Sequence, residues 1–161
     1  PGWCRKFTVT VNGKPTSVRT AKGYATLRRV WNDGDTVTLA LAMPVERIVA
    51  HPAVAEDLGR VALARGPIIY CLEQCDHQAP VRTIALPGKA LLTARYVRRV
   101  LGGCVVIEGT GLAPTPSGWK GTLYRRAGEV APPRPTRIRA VPYALWDNRK
   151  PGAMTVWMPR A

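Results

Sequence analysis

Glycine and proline set the first limit on what this chain can fold into. Fifteen of each are scattered through its 161 residues rather than gathered in one tract. Glycine weakens a helix through backbone entropy and proline removes a donor, so dispersed breakers exclude long helices and favour short strands joined by turns. The residues between the breaks fit that reading. Lys6 to Val11 alternates polar and apolar and runs into Asn12-Gly13, the dipeptide suited to a tight hairpin turn. Tyr24 to Trp31 reads as a further extended run closed by Asn32-Asp33-Gly34. Asp35 to Leu41 then sets Val37, Leu39 and Leu41 on one face, which predicts a second hairpin between these two runs. Met43-Pro44 interrupts the pattern and places the internal boundary near Pro44 or Val45.

Beyond that boundary the signals repeat. Glu46 to Ala50 begins another extended stretch, and Arg60 to Arg65 alternates Val61 and Leu63 against Ala62 and Ala64. Gly66-Pro67 then precedes Ile68 to Leu72, an apolar run suited to a strand buried on both faces. Leu92 to Leu101 and Val105 to Glu108 flank Gly102-Gly103 as a hairpin, and Trp119 to Arg126 reads as another strand. Glu129 to Pro135 carries three prolines and predicts a surface loop. Thr136 to Tyr143 and Met154 to Met158 are the last strands, with Asp147 to Gly152 turning between them. One short helical turn is expected around Ala53 to Leu58. The pattern predicts an all-β fold: an antiparallel β-sandwich over residues 45–161, preceded by a partial β-sandwich over residues 1–44.

The charge is unusual. A formal net charge of +14 and a pI near 10.5 raise nucleic acid as a partner. The basic residues, however, run from Arg5 to Arg160 in nothing longer than pairs, and no nucleic-acid-reading motif accompanies them. Nucleic acid is therefore disfavoured against a solvated basic face or an acidic partner surface. No apolar run approaches the roughly 18 residues of a membrane helix, so no membrane partner is expected. The chain starts at Pro1 with no initiator Met and no leader pattern, which leaves the compartment open, with a cytoplasmic one favoured.

Chemistry-bearing residues are sparse. Cys71 and Cys75, if both lie on one strand, are about 13 Å apart at ~3.3 Å per residue, too far for a disulfide or a shared metal. With Cys4 and Cys104 they read as free thiols, and only a turn between them, with His77 nearby, would create a metal site. Among ten carboxylates no convergent pair is evident. Glu73, at the end of an apolar strand, is the most interesting, and an arginine partner is its expected fate. Asp33 and Asp35 look like turn residues, and neither His51 nor His77 has a metal-spaced partner. Trp31, Trp119, Trp146 and Trp157 are candidate sugar-stacking rings, although aromatics on strands are more commonly core. No catalytic, cofactor-binding or metal residue is nominated.

Three groups of residues resemble one family. Pro1-Gly2-Trp3, the Val11 to Pro15 turn, Gly23-Tyr24, the Trp31 to Asp35 turn and Met43-Pro44-Val45 are similar to the end of the first C-terminal sandwich of glycoside hydrolase family 127, the β-L-arabinofuranosidases. Arg65 to Glu73 and Val141 to Arg149 resemble hallmarks of its second sandwich. The resemblance implies a parent with an (α/α)6 catalytic barrel followed by two β-sandwiches. It also implies a thiolate nucleophile among zinc-binding Cys and Glu residues, with a general acid, all in that barrel. None of those residues maps onto this sequence. The expectation is a bacterial, non-catalytic segment without a cofactor of its own, whose zinc and partner would be the barrel. Homo-oligomers through an uncovered sheet are expected as well. An autonomous carbohydrate-binding module is the alternative.

Overall fold

The computed structural model describes residues 1–119 and 121–161. They form two compact units, Pro1–Pro44 and Val45–Ala161.

In the first unit, β1 (Phe7–Val11), β2 (Lys14–Pro15) and β5 (Val37–Leu41) make a three-stranded sheet in the order β2-β1-β5, while β3 (Arg19–Ala21) and β4 (Tyr24–Thr26) pair as a separate ribbon. Asn12 and Gly13 both take positive φ, 52° and 73°, as the tight turn between β1 and β2 requires. The hairpin expected between Tyr24–Trp31 and Asp35–Leu41 does not form. Extended structure stops at Thr26, and β5 runs antiparallel to β1 with Val9 opposite Leu39. Side chains explain the choice. The Asn12 Nδ2 donates to Asp35 Oδ1 at 2.7 Å, Asn12 Oδ1 accepts the Thr36 N–H at 2.9 Å, and Asp35 Oδ2 accepts the Asn32 N–H at 2.9 Å. Those bonds tie the end of β1 to the start of β5 and turn 32–35 into a loop closure. The Asn32 N–H and the Asn12 amide also hold the Asp35 carboxyl below its ordinary range. Val9 and Val11 are buried, whereas Phe7, Val37 and Leu39, on the same face, are 38–54% exposed.

The second unit is one eight-stranded antiparallel sheet, made of β6 (Val45–Ile48), β7 (Arg60–Arg65), β8 (Ile68–Glu73), β9 (Leu92–Val97), β10 (Cys104–Ala113), β11 (Arg134–Pro142), β12 (Met154–Thr155) and β13 (Met158–Pro159). Its main path is β13-β7-β8-β11-β10-β9, with β6 on β7 and β12 on β8. The sheet curls into a half-barrel, as an all-β antiparallel domain can. Ala85 and Leu112 exchange backbone hydrogen bonds at 2.8 Å, and Leu86 bridges to Arg160, so one short segment stitches β10 to the end of β13.

Alternation assigns the two faces. Val61, Leu63, Tyr70, Leu72, Ile107, Ile138 and Ala140 point into the curl with Val81, Ile84, Leu86 and Met158. Cys71, Val100, Cys104, Val106 and Val141 form a second cluster on the opposite face, covered by Leu101, Leu145 and Val156 among others. Burial on both faces is what the apolar run at 68–72 predicts, although Ile69 is 39% exposed. The short helical turn falls at Ala55–Asp57, inside the expected span. The hairpin across Gly102-Gly103 is present, with its first strand ending at Val97.

Two expectations need correction. Trp119 to Arg126 forms no strand among its described residues, Lys120 lying outside them. The chain there carries a Trp119-to-Thr122 turn bond and runs on to a 3-10 turn at Ala127–Glu129. Met154 to Met158 is not one strand either. β12 pairs with β8 and β13 with β7, so the chain changes partner strands between them.

Candidate functional site

The polar residues of the second unit gather on the outer face, beside its outer cluster. Period-two alternation dictates this. Glu73 follows Cys71 in β8, Arg139 and Arg137 precede Val141 in β11, and Glu108 follows Val106 in β10, each two residues or a multiple of two from a residue of that face. Register then brings them together. Glu108 stands directly opposite Arg139 and two pairs along from Arg137, while Arg95 of β9 stands opposite Val106.

The result is a chain of ion pairs. Glu108 Oε2 accepts from Arg95 Nε at 2.5 Å, and its Oε1 accepts from Arg137 Nη2 at 2.6 Å and Arg139 Nε at 3.0 Å. Arg139 reaches Asp76 Oδ1 at 3.7 Å. Asp76, on the 3-10 turn Gln74–Asp76, accepts two bonds from Arg149, at 3.1 Å on Oδ1 and 2.6 Å on Oδ2. Arg149 also donates through Nε and Nη2 to Glu73 Oε2, the first at 3.0 Å, while Glu73 Oε1 accepts the Asp147 N–H at 3.3 Å. Glu73 is 5% exposed, and both of its oxygens accept a hydrogen bond. The arginine partner expected for it is Arg149.

His77 completes the cluster. Its Nε2 accepts the Arg139 N–H at 3.1 Å and its Nδ1 lies 2.7 Å from the Glu73 carbonyl, which assigns the proton to Nδ1. Burial lowers its pKa, so the ring is neutral near pH 7. Hydrogen bonds from Arg95, opposed by partial burial and joined by Arg137 and Arg139, hold the Glu108 carboxyl down at about 2. A carboxyl so low cannot donate a proton at neutral pH. For Arg149, burial opposes the charge, and the bonds to Asp76 and Glu73 outweigh it and raise the pKa.

The turn after β8 does what the sequence reading made the condition for a metal site. β8 ends at Glu73, so Cys75 sits on the turn and not on the strand with Cys71. Donor atoms of Glu73, Cys75 and Asp76 lie within 4.8 Å of one another. The donor set does not fit zinc. Arg149 already occupies both carboxylates, and burial raises the Cys75 thiol, whereas a zinc ligand must be a thiolate. All four cysteines are free. Burial, reinforced by the Glu73 charge, pushes the Cys71 thiol up to about 12.

The remaining candidates are dispersed. His51 Nδ1 accepts the Ala53 N–H at 3.1 Å and only shapes its own turn. Trp31 is 46% exposed beneath the Arg29 guanidinium at 5.1 Å, and Trp119 lies 6.0 Å from that of Arg125. Trp146 lies nearly parallel to Tyr143, with ring centroids 6.2 Å apart. Sequence reasoning missed Asp76, Glu108, Arg139 and Arg149. The available signal was opposite charges at same-face positions of β10 and β11, legible only once their register is known.

An all-β module in two units, the second a curled antiparallel sheet, is the class these features define. The description "glycoside hydrolase family 127 C-terminal domain" matches residues 45–159, and "beta-L-arabinofuranosidase, GH127 middle domain" matches residues 1–43. The chain belongs to glycoside hydrolase family 127. It is 34% identical over 99% of its length to the non-reducing end β-L-arabinofuranosidase of Bifidobacterium longum subsp. longum. It superposes with a TM-score of 0.86 and 44% identity, over its whole length, on a GH127 β-L-arabinofuranosidase from Geobacillus stearothermophilus T6. A structure described as a glycoside hydrolase gives a TM-score of 0.83 at 36% identity, again over the whole chain. The chain spans 25% of the length of the first two relatives and 27% of the third. It corresponds to the C-terminal and middle segments of the family. No helix among the described residues is long and apolar enough to cross a membrane.

Proposed function

We propose that this chain is the non-catalytic β portion of a longer β-L-arabinofuranosidase-like glycosidase, and that it supports a catalytic (α/α)6 barrel which holds the zinc, the thiolate and the acid. The observation that carries this reading is the state of the polar cluster. Glu73, Asp76 and Glu108 are each bonded to arginine, so they offer neither a free acid nor a free metal ligand. Residues 1–43 are then the end of the middle domain and residues 45–159 the terminal one. The exposed Phe7, Val37 and Leu39 fit a partial sandwich whose apolar face meets strands of the longer protein, or a second copy when those strands are missing.

Incubation of the purified chain with zinc and an aryl β-L-arabinofuranoside tests the proposal. No turnover is expected. Activity that survives repurification and disappears in Glu73→Gln, with the circular dichroism of the variant unchanged, would overturn it.

A further inference from the structure

The second unit carries an open groove of about 540 Å³, lined in part by Tyr143. Tyr143, Trp157 and Ile69 give it an apolar wall, and Glu56, Asp57 and Arg60 supply its polar groups. We propose that this groove binds a saccharide, with the Tyr143 ring as a stacking platform and Asp57, Glu56 and Arg60 as partners for sugar hydroxyls.

Three features support that assignment. The first is the shape of the aromatic surface. Tyr143, 46% exposed, lines the groove, and Trp146, 39% exposed and stacked on it with the planes 7° apart, fixes the plane of that ring. A sugar ring matches such a face with its C–H surface and leaves its hydroxyls at the rim, where carboxylates and a guanidinium accept and donate. The second is rigidity. Trp146 N–H donates to the Tyr143 carbonyl at 3.0 Å, and Asn148 Nδ2 donates to the carbonyls of Leu145 and Trp146. Asp147 N–H is held by the buried Glu73. At Trp157, the carbonyl accepts from Arg60 Nη1 at 3.3 Å and Thr155 Oγ1 at 3.0 Å. The lining is thus organised before any ligand arrives, which lowers the entropic cost of binding. The third is charge. A chain of net charge +14 places two carboxylates on this groove with a single arginine, which suits a neutral, hydroxyl-rich ligand better than an anion. The volume lies within the roughly 300–1,000 Å³ of small-ligand sites.

The proposal rests on the groove and not on the hydrolase reading, which supplies only one of the two probe sugars. Titration of the full chain with α-1,5-L-arabinotriose and with xylotriose, followed by calorimetry and by saturation-transfer NMR, is the test. We expect millimolar binding of at least one probe, weakened about tenfold by Tyr143→Ala and retained by Tyr143→Phe, which keeps the ring. Asp57→Asn should weaken it several-fold, and Tyr24→Ala, an exposed tyrosine of the first unit, should leave it unchanged. Because Tyr143 is exposed, its variants should fold, with circular dichroism as the check. Absence of saturable binding to both sugars, or binding indifferent to Tyr143→Ala, overturns the proposal. Hydrolysis of a bound probe would strike at the non-catalytic reading and leave this one standing.

Discussion

Replacing Arg149 with Met, which keeps the stem and removes the charge, tests whether the ion pairs hold the 143–149 loop. In the wild-type chain Arg149 bonds two carboxylates, Glu73 at 6% and Asp76 at 10% side-chain exposure. Without it, Glu73 keeps only the Asp147 N–H at 3.3 Å, and Asp76 keeps Arg139 at 3.7 Å. Removing one partner of a buried pair costs about 3–5 kcal/mol, and the 20% exposure of the Arg149 side chain brings our expectation to about 2–4 kcal/mol. At roughly 4 °C per kcal/mol for a unit of this size, the melting temperature should fall by about 10 °C. The double change Glu73→Gln with Arg149→Met should cost less than Arg149→Met alone, because it no longer strands a carboxylate in the interior. Urea denaturation read by fluorescence isolates the second unit if Trp3 and Trp31 are first changed to Phe. A loss below about 1 kcal/mol for Arg149→Met, or a double variant weaker than the single one, would refute the anchoring role.

Three further outcomes are expected. Stability should decline in acid in two windows. His77, lowered by burial, stabilises the fold above its ordinary 6.5 and loses that contribution as pH falls below it. Glu108, lowered from 4.5 to about 2, loses its contribution between those values. The Glu108 term should be about 1 kcal/mol after screening at the exposed Arg95 and Arg137, and Glu108→Gln should flatten the lower window in a pH series of thermal melts. Cys71, buried and with its thiol pushed up to about 12, should react with Ellman's reagent only on unfolding, whereas exposed Cys75 should react in the native state. Gly111→Ala should cost about 1–3 kcal/mol by denaturant melt, since its Cβ would meet Ile84 Cγ2 at 2.8 Å and the Ala85 carbonyl oxygen at 3.0 Å.

Local chemistry was legible wherever it acts over a few residues. Asn12-Gly13 sets a tight turn through its own backbone preferences, and the apolar run at 68–72 needs no partner to declare that both faces are buried. Pairing between distant segments was not legible. The hairpin expected for Tyr24–Trp31 and Asp35–Leu41 rests on a true turn signal at Asn32-Asp33-Gly34, yet the Asn12 amide, more than twenty residues upstream, captures Asp35 and gives β5 to β1. The same gap governs the polar cluster. Glu73 was recognisable from its position at the end of a buried strand, and an arginine partner was inferable from the cationic excess. Choosing Arg149 required knowing that the chain returns beside the end of β8. At Trp119 to Arg126 the aromatic and apolar residues mimic a strand, but the described residues there pair with no strand.

The stitch at Ala85-Leu86 has a consequence for the order of assembly on the ribosome. That segment pairs with Leu112 on one side and, on the other, bonds to Pro159 and Ala161, while Arg160 donates to the Gly59 carbonyl. Within this unit, the residues that β7 and Leu86 await are thus synthesised after all the other strands. A nascent chain can zip β9, β10 and β11 as they emerge, because those strands are near neighbours in sequence, but the side facing β13 must stay open until residues 158–161 leave the exit tunnel. Until then Val61, Leu63 and Leu86 have no lid from Met158, and the half-made unit exposes the apolar surface that chaperones recognise.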